Sequence, residues 1–209
     1  ISLVSNNIAN SNTTAFKKSY SNFSDIYSKN IGDNPKGFSG MGVINDSPRK
    51  QMFQGPLKQT NGALDLAISG LGFLTLASAN DNENRFYTRD GSLGLSSNGE
   101  VINQQGLNLL AHPVTNDATY NPAIFEKVII QPNISDALGN TRILTNINVS
   151  SSGVLKAVYG LDEEVVIAKI PLTSFENMEL LQSEGNNLFK PTTESGDPII
   201  GIALEENMG

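Results

Sequence analysis

Between Thr60 and Ala111 the chain reads TNGALDLAISGLGFLTLASANDNENRFYTRDGSLGLSSNGEVINQQGLNLLA, and this stretch constrains the fold more than any other. Leu64, Leu66 and Ile68 alternate with Asp65, Ala67 and Ser69, the period of a strand with one buried face. Gly70 and Gly72 break the run where a bend or a close backbone approach fits, and Leu74 and Leu76 resume it. Beyond a polar loop at 80–84, Phe86, Tyr87 and Thr88 form an aromatic and β-branched strand that Asp90-Gly91 punctuates. Leu93 and Leu95 alternate up to Asn98-Gly99, the strongest short-range hairpin signal, and Val101-Ile102 leaves that turn. Gly106 bends the chain before Leu107, Leu109 and Leu110. Roughly five short strands and four turns, each turn carrying Gly or Asn where positive φ is needed, make an antiparallel β-meander. Leu66 and Ile68 are expected in the core, where truncation to Ala costs about 2–5 kcal/mol.

Low charge supports a β-rich globular body: 17% of the 209 residues are charged, 38% are hydrophobic, and there are 19 Gly and 25 Asn. That length allows one large domain or two small ones. The formal net charge is −7 with no basic patch, which argues against nucleic acid and anionic membrane surfaces as partners. Cys is absent, so disulfides, thiolate metal sites and a Cys nucleophile are excluded. No apolar run approaches the ~18 residues of a membrane span, and no signal peptide opens the chain. It begins with Ile1 and not Met, which reads as a trimmed chain.

At the N-terminus Ile1, Val4 and Ile8 share one helix face, read as the last turns of a longer helix. Phe23, Ile26 and Tyr27 continue a short amphipathic segment, and the Gly/Pro/Asn-rich run Asn30–Gly42 reads as a loop or linker. Val43–Leu57 looks extended. After the meander, Val128–Ile130 is a strand, and Ile143, Thr145, Ile147 and Val149 alternate in another. Val154–Tyr159 and Val165–Leu172 complete a second antiparallel set, and Phe175–Leu181 has helical spacing. The fold class expected is mainly β: an antiparallel meander, sandwich-like or barrel-like, with an extended connector and a short N-terminal helix remnant.

No catalytic constellation emerges. His112, the one histidine, lacks a Gly-x-Ser-x-Gly elbow and, beside Pro113, reads as an ordinary surface residue. A lone His without Cys builds no nitrogen or sulfur metal site. Asp81, Asn82, Glu83 and Asn84 loosely resemble a calcium loop but lack its Gly and its bidentate Glu, so a solvated hairpin loop is the better account. Glu163-Glu164 and Glu205-Glu206 are adjacent, and on a strand such pairs point to opposite faces. Gly70-x-Gly72 lacks the third Gly and following helix of a dinucleotide loop. The sequons at Asn12, Asn22, Asn133 and Asn148 are expected by chance in an Asn- and Ser-rich chain. Catalytic, cofactor and metal sites are therefore expected to be none.

DLAISGLGF followed by FYTRDGSLGLSSNGEVINQQGLNLL resembles the signature of the bacterial flagellar hook and basal-body rod proteins. In that family a DLAI-G-GFF strand pair precedes YTR-G-F, and the matching positions are Asp65, Leu66, Ile68, Gly70, Gly72, Phe73, Tyr87, Arg89, Gly91, Gly99 and Gly106. Leu74 and Leu93 stand where the family usually has Phe, which bears on packing only. SNNIANSNTTAFKKS resembles the motif that ends the family's N-terminal helix, through Asn6, Asn7, Ile8, Ala9, Asn10, Thr14, Phe16 and Lys17. Ala15 replaces the usual Gly there; if that Gly supplies positive φ, Ala15 costs about 1 kcal/mol, which leaves open a different local backbone. The tail from Ile170 to Pro198 also fits the family, through Phe175, Asn177, Leu180, Gly185, Asn186, Leu188, Thr192, Ser195 and Gly196 among others.

The resemblance implies a structural subunit of the flagellar axis, hook protein first and distal or proximal rod protein next, with both terminal helices truncated. FSDIYS and SGDPIIG look hook-like, whereas hook proteins usually insert a further β-domain and only about forty residues separate Ala111 from Val154. It implies no enzymatic activity and no cofactor. The partners implied are copies of itself in a helical polymer and neighbouring axial proteins, with no nucleic acid and no membrane insertion; the shortened chain is expected to be monomeric. Export through the flagellum's own secretion channel and location in the hook or basal body follow from the same resemblance. It divides the chain into a helix end plus connector (1–59), an antiparallel β domain (60–200) and the start of a return toward the missing C-terminal helix (201–209). A function of another class, a β-rich surface binding or adhesin module, rests on composition alone.

Overall fold

The computed structural model describes residues 2–29, 38–45, 47–79, 81–114, 119–135, 139–161 and 163–203. Two compact units emerge, Ile1–Phe53 and Gln54–Gly209.

The first unit opens with the helix Ser2–Ala9 and is otherwise strand. Ser19–Tyr20 pairs with Arg49–Lys50, and Phe23–Lys29 pairs with Phe38–Asn45, both antiparallel. The amphipathic segment and the beginning of strand content at 38–42 are thus a hairpin, a correction to the reading of Asn30–Gly42 as loop throughout; residues 30–37 lie outside the described residues. Phe23, Ile26, Val43 and Ile44 are aromatic or β-branched, which favours extended chain once a partner strand is present. This ribbon pairs with no third strand among the described residues.

Strand Asn108–Pro113 organises the second unit. It pairs with Leu74–Ser78, Val101–Ile102, Glu126–Lys127 and Glu163–Lys169, all antiparallel. A main path runs Asn133–Ser135, Thr141–Val149, Val154–Tyr159, Glu163–Lys169, Asn108–Pro113, Leu74–Ser78, Asp81–Thr88, Leu188–Lys190, Gln182–Gly185. Among the described residues its two end strands do not pair with each other, so the path is open. Separate small ladders join Asp65–Leu66 to Gly91–Ser92 and Pro171–Ser174 to Ile199–Ile202. The mainly β, antiparallel fold with a short N-terminal helix is as expected from the sequence.

NLLAHP is buried almost end to end because both faces of that strand are covered. Leu109 and Ala111 face a core shared with Leu74, Leu76, Val101, Val128, Ile130, Leu155 and Tyr159. Strand Val154–Tyr159 alternates as the sequence requires, with Leu155, Ala157 and Tyr159 inside. Leu64 is buried, but Leu66 and Ile68 are only partly buried against this core. Their truncation therefore belongs below the range for fully buried aliphatics.

Three expectations are corrected by local geometry. Ile143, Thr145, Ile147 and Val149 do not share a face: a register shift between Leu144 and Asn146 moves Leu144, Ile147 and Val149 against the core and leaves Ile143 71% exposed. One extra residue in a strand reverses its inward set, and nothing in the hydrophobic pattern marks it. Phe175–Leu181 holds only the 3-10 turn Met178–Leu180, because Phe175 and Leu181 are anchored in the interior and the Asn177 amide is committed to Ser195 O at 3.1 Å. Strand Asp81–Thr88 also starts inside the segment expected to be loop.

Tyr159 is 1% exposed, and its hydroxyl donates to the Gln131 carbonyl at 2.9 Å. Burial raises its pKa above the ordinary value of 10.0. Its protonated form is favoured in the folded chain, so this stability is full below the unfolded pKa and is lost as pH rises through the raised one. Alkaline unfolding monitored by circular dichroism is expected to steepen above about pH 10, and less so in Tyr159→Phe.

Candidate functional site

The conspicuous residues of this chain form joints, not a cleft. At the first, the helix Ser2–Ala9 is closed by the amides that follow it: Asn10 N and Asn10 Nδ2 both donate to Asn6 O, at 3.1 and 3.0 Å. Thr13 Oγ1 donates to Asn10 Oδ1 at 3.2 Å. Asn7 reaches across to strand Ser19–Tyr20, donating through Nδ2 to Ser19 O at 2.8 Å and accepting from Ser19 N at 3.0 Å. That two-point bond copies a backbone ladder and fixes the helix against the strand. Lys17, 9% exposed, donates from Nζ to Phe53 O at 2.7 Å, and the Lys50 ammonium lies 5.8 Å from the Phe16 ring centroid. Asn6, Asn7, Asn10, Phe16 and Lys17 thus build a helix-to-strand corner; Ile8, Ala9 and Thr14 lie exposed on it, with Val4 and Ile8 at 60% and 69%.

Ala15 has φ 59°, in the left-handed region that Gly enters freely and Ala only with strain. Flanking bonds Thr13 N to Asn10 O and Phe16 N to Thr13 O hold the turn. Ala15→Gly is expected to stabilise the first unit by about 1 kcal/mol, read as a raised midpoint in denaturant melts.

At the second joint the family-like stretches lock together. The Arg89 side chain, 9% exposed, donates from Nε to Gly72 O at 3.0 Å and from Nη2 to Gly70 O, capping the Gly70–Gly72 bend. Its guanidinium also lies 5.5 Å from the Phe73 ring centroid, and burial lowers its pKa from the ordinary value. Phe73 is fully buried, edge-on to Phe175 at 6.1 Å and to Phe189 at 5.8 Å; Tyr87 meets Phe175 at 4.9 Å. Asp65 and Leu66 pair with Ser92 and Gly91, where a Cβ on Gly91 would stand 1.9 Å from Leu66 O. Gly99 and Gly106 take positive φ in the two hairpin turns. Ser195, fully buried, accepts from Thr192 N at 2.9 Å, and Thr192 Oγ1 donates to Leu180 O at 3.0 Å. The Gly70–Phe73 bend, Tyr87 and Arg89, and the tail residues Phe175 and Phe189 therefore meet in one hub.

His112 is buried, 1% exposed, and not the surface residue its Pro neighbour suggests. The segment 119–125 covers it: His112 Nδ1 is 2.7 Å from Ile124 O, and its ring packs on Tyr120 and Phe125 at 5.6 and 4.7 Å. The carbonyl must accept, so Nδ1 carries the proton. Loss of function in His112→Ala would thus report lost packing as readily as lost chemistry. Among the described residues no group of three or more His, Cys, Asp or Glu gathers to hold a metal. Glu163 and Glu164 pair separately, with Arg142 at 3.1 Å and Lys156 at 2.9 Å. No helix there is long and apolar enough to cross a membrane.

Residues 67–157 match the family model described as flagellar hook protein FlgE/F/G D1 domain. Across 95% of its length the chain is 31% identical to the flagellar basal-body rod protein FlgG of Buchnera aphidicola subsp. Acyrthosiphon pisum, covering 71% of that protein. The chain belongs to the flagellar hook and basal-body rod protein family. It is also 28% identical to FlgG of Borreliella burgdorferi, over all of this chain and 74% of that protein. Its match to the flagellar hook protein FlgE of Escherichia coli is 31% over 76% of this chain and 38% of the relative. Phe73, Tyr87 and Arg89 of the hub and the turns at Gly99 and Gly106 fall in the segment matched by the family model, and Phe175 and Phe189 lie beyond it.

Proposed function

We propose that this chain is a structural, non-enzymatic subunit of the bacterial flagellar axis, of the rod type, polymerising with copies of itself and with neighbouring axial proteins. The observation that carries the rod assignment is coverage. The FlgG relatives align along 95% or more of this chain and 71% or more of their own length, whereas the E. coli hook protein shares only 38% of its length. The hook reading is the second, favoured by the FSDIYS and SGDPIIG blocks. In either, residues 1–59 form the helix end and connector and 60–200 the outer β domain.

The ribbon Phe23–Lys29/Phe38–Asn45 supports a role in subunit contact. An isolated two-stranded hairpin is marginal in water. Here Phe23, Val43 and Ile44 are 72%, 62% and 53% exposed. The directly paired residues Phe23/Asn45 and Asp25/Val43 share one face, so Phe23 and Val43 stand together on it. Phe23→Asp combined with Val43→Asp is expected to leave the melting midpoint within about 0.5 kcal/mol of the parent while abolishing motility on soft agar. Unchanged swarming would remove the ribbon from the contact. Deleting the gene separates rod from hook: basal bodies seen by electron microscopy lose the rod, and with it the hook, under the first reading. Complete rods lacking only the hook would establish the second.

A further inference from the structure

Asn-Gly occurs twice, at Asn61-Gly62 and Asn98-Gly99, and the fold treats the two copies differently. An asparagine followed by glycine is the dipeptide in which the next backbone nitrogen reaches the side-chain amide with least hindrance, because glycine has no Cβ. The attack needs that nitrogen uncommitted and the chain free to bring it to Cγ. At Asn98 neither condition is met. Gly99 N donates to Ser96 O at 3.0 Å, Asn98 N donates to Ser96 Oγ at 3.3 Å, Gly99 O accepts from Ile130 N at 2.7 Å, and Gly99 is buried. Around Asn61 the opposite holds: both residues are exposed, the preceding stretch 51–60 has no regular secondary structure, and Gly62 N has no hydrogen-bond partner among the described residues.

We propose that Asn61 is a site of spontaneous, enzyme-independent deamidation, and that folding protects Asn98. The Gly62 backbone nitrogen gives up its proton to solvent base and bonds to Asn61 Cγ. The Cγ–Nδ2 bond breaks, and ammonia departs with a proton from solvent, leaving a succinimide. Solvent water then opens the ring. Attack at Cγ leaves an ordinary aspartyl residue in place of Asn61; attack at the main-chain carbonyl yields isoaspartate, with the chain running through Cβ. No electrons are exchanged. Either product places a new carboxylate in the turn that already holds Asp65, whose Oδ2 lies 2.4 Å from where a Gly62 Cβ would stand and whose amide donates to Gly62 O at 3.3 Å. Like charges in one exposed turn loosen the entry to strand Asp65–Leu66.

Peptide mapping by mass spectrometry, after ageing the folded chain in mildly alkaline buffer, tests this. Asn61 is expected to convert on the order of tenfold faster than Asn98, or more, with isoaspartate among the products. In guanidinium the two rates should converge, and Asn61→Gln should abolish the faster signal. Equal or faster conversion at Asn98 in the folded chain would overturn the proposal. So would an unmodified Asn61 over a span in which the unfolded chain reacts.

Discussion

Phe73→Ala is expected to destabilise the second unit by about 3–5 kcal/mol, lowering the denaturant midpoint without changing the slope. The ring is fully buried at the point where three distant stretches meet, edge-on to Phe175 and Phe189 with the Arg89 guanidinium at 5.5 Å. Its backbone exchanges two bonds with Thr173, at 2.8 and 2.9 Å, so the strand cannot easily shift to fill the space. Removing the ring leaves a cavity beside a buried cation that has lost its aromatic face. Phe73→Leu keeps most of the volume and should cost about half as much or less. A parent-like midpoint for Phe73→Ala would show that the hub does not hold the unit together.

Gly99→Ala carries the second large effect, about 2–5 kcal/mol, from two sources that a control separates. Gly99 has φ +79°, where an L side chain is strained, and its Cβ would stand 2.3 Å from Ile130 O. Gly106 has nearly the same φ, +78°, with nothing within 4 Å of a Cβ. Gly106→Ala should therefore cost only the strain, about 1–2 kcal/mol. The difference between the variants measures how firmly the segment 128–130, which follows strand Glu126–Lys127, is held over the turn. Equal losses would mean that the Ile130 carbonyl moves aside freely.

The sequence is legible where structure is local. Asn98-Gly99 and Gly106 mark their turns, and the alternation of Leu155, Ala157 and Tyr159 marks their strand, because each depends on neighbouring residues alone. The bulge at Leu144/Asn146 and the burial of His112 depend on what the rest of the chain lays against them, so local pattern misplaces both. Arg89 belongs to a visible motif, yet its task of capping the Gly70 and Gly72 carbonyls needs the folded bend. At Ala15 the motif raises the question of a positive φ, and only the folded turn, with its bonds from Thr13 N and Phe16 N, answers it.

Such a division follows from a protein whose distinctive residues serve shape. Asn7 ties a helix to a strand, Arg89 clamps a bend, and Ser195 with Thr192 closes a turn in the tail that Thr192 ties to the Leu180 carbonyl. None of them brings a nucleophile to a base.

Immunogold labelling of isolated hook–basal bodies, using antibodies raised against this chain, addresses the axial role most directly. Label confined to the axial structure, on the rod under the favoured assignment or on the hook under the second, is the result the account predicts. Gold absent from the axis of intact, partly dissociated and rod-only particles alike, with the protein recovered elsewhere in the cell, would contradict it.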